Sequence, residues 1–142
     1  MPEELLGNTF FEYHITVDED TSQAEPDELE VTLTLGVIHQ IELIPWGYAV
    51  DILHTRIERF HSPIFPVNLG ACISFAGKPV VGRVYYEIDR RPTTLVITSW
   101  NDSTLYPHSF TVRFWMLPKE IISPETGLIA DLKKYMRLIL GR

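Results

Sequence analysis

Five histidines, one cysteine and nineteen carboxylates are the side chains from which chemistry could be built in this 142-residue chain. A zinc site needs three or four converging ligands, often from close pairs. His14, His39, His54, His61 and His108 are scattered, with no His-x-His, and the pair His54 and His61 has no cysteine near it. They read as ordinary strand and loop histidines. Cys72 lies in ACISF between apolar neighbours, so it reads as a small core residue, and alone it can close no intrachain disulfide. It has no basic or capping context that would lower its pKa. A Ser–His–Asp set can be drawn on paper from almost any sequence, but no Gly-x-Ser-x-Gly elbow is present to present the serine. Asp51, Glu58, Glu87 and Asp89 could supply a carboxylate pair, yet nothing sets them apart from surface charges. Asn101 and Asp102 lack the spaced oxygen ligands of a calcium loop. Glycine-rich phosphate loops are absent too. The expectation is a protein without catalytic, metal or cofactor-binding residues, that is, not an enzyme.

Binding leaves a different trace. Arg56, Arg59, Arg83, Arg90, Arg91 and Arg113 are interleaved with Tyr85, Tyr86 and Trp115. Such a set can form a platform for an anion or a sugar, but more often its members are outward strand positions paired across a sheet. The stretch Trp100 to His108 carries two aromatics and several hydrogen-bonding groups between two strand-like runs. Its Trp100, Asn101, Asp102, Tyr106 and His108 make either an exposed contact loop or a structured hairpin loop whose Asn and Asp bond their own backbone.

These residues must be positioned by β-structure. One β-patterned tract runs from Leu29 to Pro118, densest from Gly36 to Phe60. Phe10 to Val17 reads as a strand with Phe11, Tyr13, Ile15 and Val17 on one face. Asp18 to Glu28 reads as a mobile acidic loop. Leu29, Val31, Leu33 and Leu35 alternate strictly and are expected to face in. Val37 to Ile44 alternates next, with Val37, His39, Ile41 and Leu43 on one side. Pro45-Trp46-Gly47 reads as a turn. From Ala49 to Phe60 the apolar set changes sides midway, which predicts a bulge or an edge strand; a helix is the alternative. Pro63 and Pro66 exclude a central strand, so 61–70 reads as a loop pinned on the core by Ile64, Phe65, Val67 and Leu69. Strands follow at 71–75, 80–88 (with a possible break at Gly82), 93–100 and 108–117; the last turns Phe110, Val112, Phe114 and Met116 inward.

Ser123-Pro124-Glu125 opens a helical pattern, with Ser at the N-cap and Pro at N1. Leu128, Leu132, Tyr135, Met136 and Ile139 form its apolar stripe, which must be covered by the chain's own sandwich or by a neighbour. The fold class expected is mainly β: an antiparallel β-sandwich or jelly-roll-like barrel, with an acidic N-terminal extension and one C-terminal amphipathic helix. The parts are an arm with one strand and an acidic loop at 1–28, the sandwich at 29–118 and the helix at 119–142.

Charge adds a constraint. Residues 1–30 hold ten acids and no Lys or Arg, whereas the other 112 carry nine acids and twelve bases. Phosphate repulsion disfavours nucleic acid at the front end. The segregation suits contact with a basic surface, its own or a neighbour's. MPEELLGNTF has no basic n-region and no long apolar run, so no signal peptide is expected, and no run of about 18 apolar residues reads as a membrane helix.

Gly36-Val37-Ile38-His39, Phe65-Pro66-Val67-Asn68, and Trp100-Asn101-Asp102 with Tyr106-Pro107-His108 and Val112-Arg113 are similar to stretches of small β-sandwich virion accessory proteins of tailed-phage and prophage type. The resemblance covers about residues 30–118 and is structural, so it implies no active-site residue. It implies a structural protein, a capsid or tail component that forms homo-oligomers and docks on a larger assembly through protein–protein contacts. A virion or cytoplasmic assembly site follows, with no cofactor, no direct nucleic acid and no membrane. The alternative is a ligand-binding sandwich in which Trp46, Tyr48, Trp100 or Trp115 stack on sugar rings.

Overall fold

The computed structural model describes residues 9–119. Nine strands run β1 (Thr9–Val17), β2 (Asp27–Thr32), β3 (Gly36–Trp46), β4 (Val50–Arg59), β5 (Ser62–Phe65), β6 (Ile73–Ala76), β7 (Val80–Ile88), β8 (Thr94–Asn101) and β9 (His108–Leu117). They form two antiparallel sheets: β1-β9-β3-β7, and β2-β8-β4-β5 with β6 also on β4. The chain changes sheet at nearly every connection. The protein is therefore mainly β and sandwich-like, as expected. The expected helix with Leu128, Leu132, Tyr135, Met136 and Ile139 lies outside the described residues, as does 1–8 of the N-terminal arm. The strand expected in the arm is β1, which pairs with β9 from Thr9 to Val17 at the edge of the first sheet.

Strand β9 shows why the sheets face each other. Its aromatic and β-branched residues suit a pleated surface. Period-2 alternation sends Phe110, Val112, Phe114 and Met116 inward, where they are fully buried. They meet Ile38, Ile41 and Leu43 of β3 and, from the other sheet, Leu53, Ile57, Leu95, Ile97 and Phe75. Each such side chain contributes about 1.5–3 kcal/mol when removed from water. Tyr13 donates to the Thr32 carbonyl at 2.8 Å and ties β1 to the opposite sheet.

Several strand readings are revised. Against β9, a register shift between Ile38 and Gln40 makes His39 an extra residue of β3, and against β7 the same irregularity sets Val84 and Tyr85 opposite it. The alternation restarts there, so Ile38 shares the core with Ile41 and Leu43, and His39 does not. Trp46 continues the strand rather than turning it. The first and last members of the expected Leu29–Leu35 face divide from the rest: Val31 and Leu33 are buried, whereas Leu29 and Leu35 are exposed. β4 is neither a helix nor an edge strand. It lies between β8 and β5/β6, and from Leu53 to Arg59 one face, Leu53, Thr55, Ile57 and Arg59, points inward without changing sides. The inward set merely includes two polar residues, which hid it. The irregularity falls earlier, at Asp51, where φ is +59° and the pairing with β6 slips.

The proline-rich segment forms an edge. β5 and β6 are two halves of one strand along β4, interrupted at 66–72 after a cis Phe65-Pro66 bond. Ile64 is buried, but Val67 and Leu69 are exposed and do not pin the loop. Gly82 does not break β7, whose pairing with β3 is continuous there. A Cβ at Gly82 would lie 2.3 Å from the Phe65 ring, so the missing side chain makes room for that ring. Cys72 is only half-buried and stands outside the core.

Candidate functional site

The strand registers gather the connections at two ends. The β1–β2, β3–β4, β6–β7 and β8–β9 connections meet at one. Thr16 and Trp46 both flank Ser109, Val50 flanks Ala76, and Tyr48 packs on Gly77. The β2–β3, β4–β5 and β7–β8 connections meet at the other, where Leu33 and Thr93 exchange hydrogen bonds.

Asn101 organises the first end. It is the last residue of β8 and its side chain points inward, fully buried. Nδ2 donates to the carbonyls of Val17 and Tyr106, both at 3.0 Å, and Oδ1 accepts from the Ser103 amide at 3.0 Å. Its backbone amide donates to the Thr21 carbonyl. One residue thus holds β1's exit, the β1–β2 connection and the β8–β9 loop. The Asp18–Pro26 connection, expected to be mobile, is anchored here: the Asp20 amide also bonds the Ser103 carbonyl at 2.8 Å.

Beside it, on the outer face of the second sheet, is a hydrogen-bonded chain that sequence reading did not assemble. The His54 ring bonds Ser74 Oγ through Nδ1 at 2.7 Å and Asp102 Oδ2 through Nε2 at 2.9 Å. Strand β4 supplies His54, β6 supplies Ser74 opposite it, and the β8–β9 loop supplies Asp102. Trp100, the cross-strand neighbour of His54, stacks on its ring at 5.4 Å, with the Arg56 guanidinium on the same indole. The chemistry available is proton exchange between a serine hydroxyl and an imidazole oriented by a carboxylate. Ser74 lies within β6, and the two bonds tie the β8–β9 loop and β6 to β4. No motif marks it in the sequence: His54 stands 20 positions from Ser74 and 48 from Asp102.

The expected contact residues therefore separate. Trp100 is 4% exposed and Asn101 is fully buried, so an exposed contact role is corrected for these two. Asn101 bonds neighbouring backbone, as a structured loop requires. Asp102 and Tyr106 are exposed, and His108 is half-buried. The five helix positions, Leu128 to Ile139, lie outside the described residues. Trp46 and Tyr48 are 58% and 82% exposed. Trp46 is nevertheless held, donating to Thr111 Oγ1 at 2.7 Å with the His14 ring against it at 4.2 Å. Trp115 is half-buried, stacked on Phe10 and donating to Glu42 Oε1 at 2.5 Å. The arginine–aromatic interleaving resolves into cross-strand pairing at Arg113, which meets Glu12 at 2.7 Å.

The second end is organised by Arg59, which is 4% exposed. Its guanidinium donates to the carbonyls of Arg90 and Pro92 at 2.9 and 3.2 Å and to the Tyr86 hydroxyl at 3.3 Å, and it lies 4.5 Å from the Phe60 ring centre. Among the described residues no carboxylate pairs with it. The loop it holds carries exposed Arg90 and Arg91.

Among the described residues no group of three metal-ligating side chains converges, and no helix is long and apolar enough to cross a membrane. Perturbed acidities are few. Burial, then the Arg83 charge, lowers the pKa of His39, and burial raises that of Tyr13. The hydrogen bond that Lys119 donates to Glu87 raises that of Lys119.

No protein-family model matches the chain, and no curated protein matches it. Among solved structures it is similar to the virus-like particle of extra small virus from the giant freshwater prawn Macrobrachium rosenbergii, at 13% identity over 75% of this chain and 79% of that one, with a TM-score of 0.31. At that score the likeness carries no argument.

Proposed function

We propose that this chain is a non-catalytic structural protein, a capsid or tail component of a virion, that self-associates and docks on a larger particle. The observation that carries the reading is the strand order. β1-β9-β3-β7 against β2-β8-β4-β5 is the order of a jelly roll, two Greek keys wrapped over a packed core. That architecture serves capsid and lectin domains alike, so on its own it is an analogy. The surface supplies the weight. Trp46, Tyr48, Leu105 and Tyr106 are exposed at one end and Val67 and Leu69 on the broken edge strand. Exposed apolar side chains gathered on a rigid block mark contact surfaces. The acidic front end and the amphipathic stripe at 128–139 serve as arms onto neighbours in this reading, and the site of action is the virion or its cytoplasmic assembly site. Electron microscopy of the concentrated purified protein tests it. Rings, shells or filaments are expected; a field of isolated single-copy particles at every concentration contradicts it.

A second reading, a carbohydrate-binding module, is favoured by one observation: Trp46, at the end of β3, and Tyr48, in the connection after it, are both exposed. Glycan-array binding lost in Trp46→Ala would support it, and an array without hits removes it.

A further inference from the structure

We infer that copies of this chain join end to end, the Asn101 end of one seated on the Arg59 end of the next. The inference rests on the proposed self-association and names its surfaces. The two ends differ in charge. At the Asn101 end, the connections and the start of β4 expose Asp18, Glu19, Asp20, Glu25, Asp51 and Asp102 against a single Lys78. At the Arg59 end, Arg90, Arg91 and Lys119 are exposed beside Asp89 and Glu87, the latter paired with Lys119 at 2.8 Å, and Glu30 and Glu58 lie near Phe60, Glu58 within 3.9 Å of Arg56. Buried Arg59 adds a cation that no described carboxylate matches, so acids and bases nearly balance here, unlike at the acidic end. The aromatic character is complementary too. Tyr48 and Tyr106 stand open among the acids, and open tyrosine faces receive guanidinium groups. The Arg59 end offers exposed Phe60 and a recess lined by Leu35, Gly36, Ile88 and Pro118 together with Glu87, Asp89 and Lys119, which could receive a side chain with an apolar body and a polar tip, such as Tyr106.

Two Asn101 ends would repel, six carboxylates against six. Opposite ends attract through Arg90 and Arg91, and charge complementarity of this kind sets register and suppresses wrong pairings. The occupant that satisfies both ends at once is a second copy. A head-to-tail contact is heterologous, so it closes into rings or runs on as a filament rather than stopping at a two-fold dimer.

Charge reversal tests this. One variant carries Asp18→Lys, Glu19→Lys and Glu25→Lys; the other carries Arg90→Glu and Arg91→Glu. All five side chains are exposed, and near-ultraviolet circular dichroism confirms that each variant folds. Sedimentation velocity at low salt is expected to show wild-type assemblies, association weakened tenfold or more in each variant alone, and recovery when the two are mixed, because every junction then has opposite charges. Wild-type assembly is also expected to fall as salt shortens the screening length from about 30 Å at 0.01 M to about 8 Å at 0.15 M. If the wild type assembles but either variant does so equally well, or mixing restores nothing, the end-to-end inference is overturned while self-association stands. A wild type that never assembles overturns both.

Discussion

The two ends of the sandwich follow one plan with opposite chemistry. Each has a polar side chain, buried beneath the loops, that collects their carbonyls. At one end it is the neutral amide of Asn101, and the loops above it are acidic. At the other it is the cation of Arg59, and the loop above it is basic. A buried amide imposes geometry without a sign. A buried guanidinium imposes geometry and leaves a positive surplus, because carbonyl oxygens solvate it without neutralising it. Loop shape and surface charge are thus set separately at the Asn101 end and together at the Arg59 end.

Removing each anchor should separate the ends most sharply. Asn101→Ala removes the side-chain partner of one buried carbonyl and of a part-buried carbonyl and amide. At about 1–3 kcal/mol for each group left unsatisfied, partly relieved by water at the loops, the expected loss is about 3 kcal/mol. Hydrogen exchange should quicken in 18–22 and 102–107 while 89–93 stays protected. Arg59→Ala should cost about 2–3 kcal/mol and show the reverse pattern. Equal exchange at both ends in either variant would break the comparison.

A change between the ends supplies the control. Gly82→Ala pushes a Cβ into the Phe65 ring, and overpacking of this kind costs about 1–3 kcal/mol. Chemical denaturation should register that loss with neither end's exchange pattern selectively altered.

The strap at the acidic end is weaker. His54→Ala removes two hydrogen bonds to partly exposed partners, for about 1 kcal/mol. Exchange should quicken around Asp102 only, and Ser74→Ala should leave assembly unchanged. If Ser74→Ala also abolished covalent labelling by a fluorophosphonate probe, the strap would be a reactive serine instead.

How far sequence reached follows the same division. β9 was legible because its alternation is unbroken and its inward residues are all apolar. β4 was not, because Thr55 and Arg59 occupy inward positions, and a period-2 reading by hydrophobicity takes them for an outward face. His39 shifts β3 by one residue against β9 with no glycine to announce it. Asn101 and Asp102 stood out as a group, but their opposite fates, one buried under the loops and one exposed against His54, depend on Val17, Tyr106 and Ser74. Those partners come from other strands and connections. Arg59 was visible only as one of several interleaved arginines, since its partners are backbone carbonyls, which have no sequence signature.

The smallest effect concerns pH. The folded-state pKa of His39 is lowered by burial and by Arg83, so folding disfavours its proton. Its contribution is present above the unfolded value near about 6.5 and lost as pH falls below it. Stability measured by denaturation should decline from about pH 7 to about pH 5, and His39→Gln should flatten part of that slope.

The central claim is that this chain is a building block whose ends meet. Sedimentation equilibrium of the wild-type protein over a concentration series at low salt tests it most directly. The account predicts a mass that exceeds one chain and rises with concentration. A single-chain mass at every concentration would contradict it.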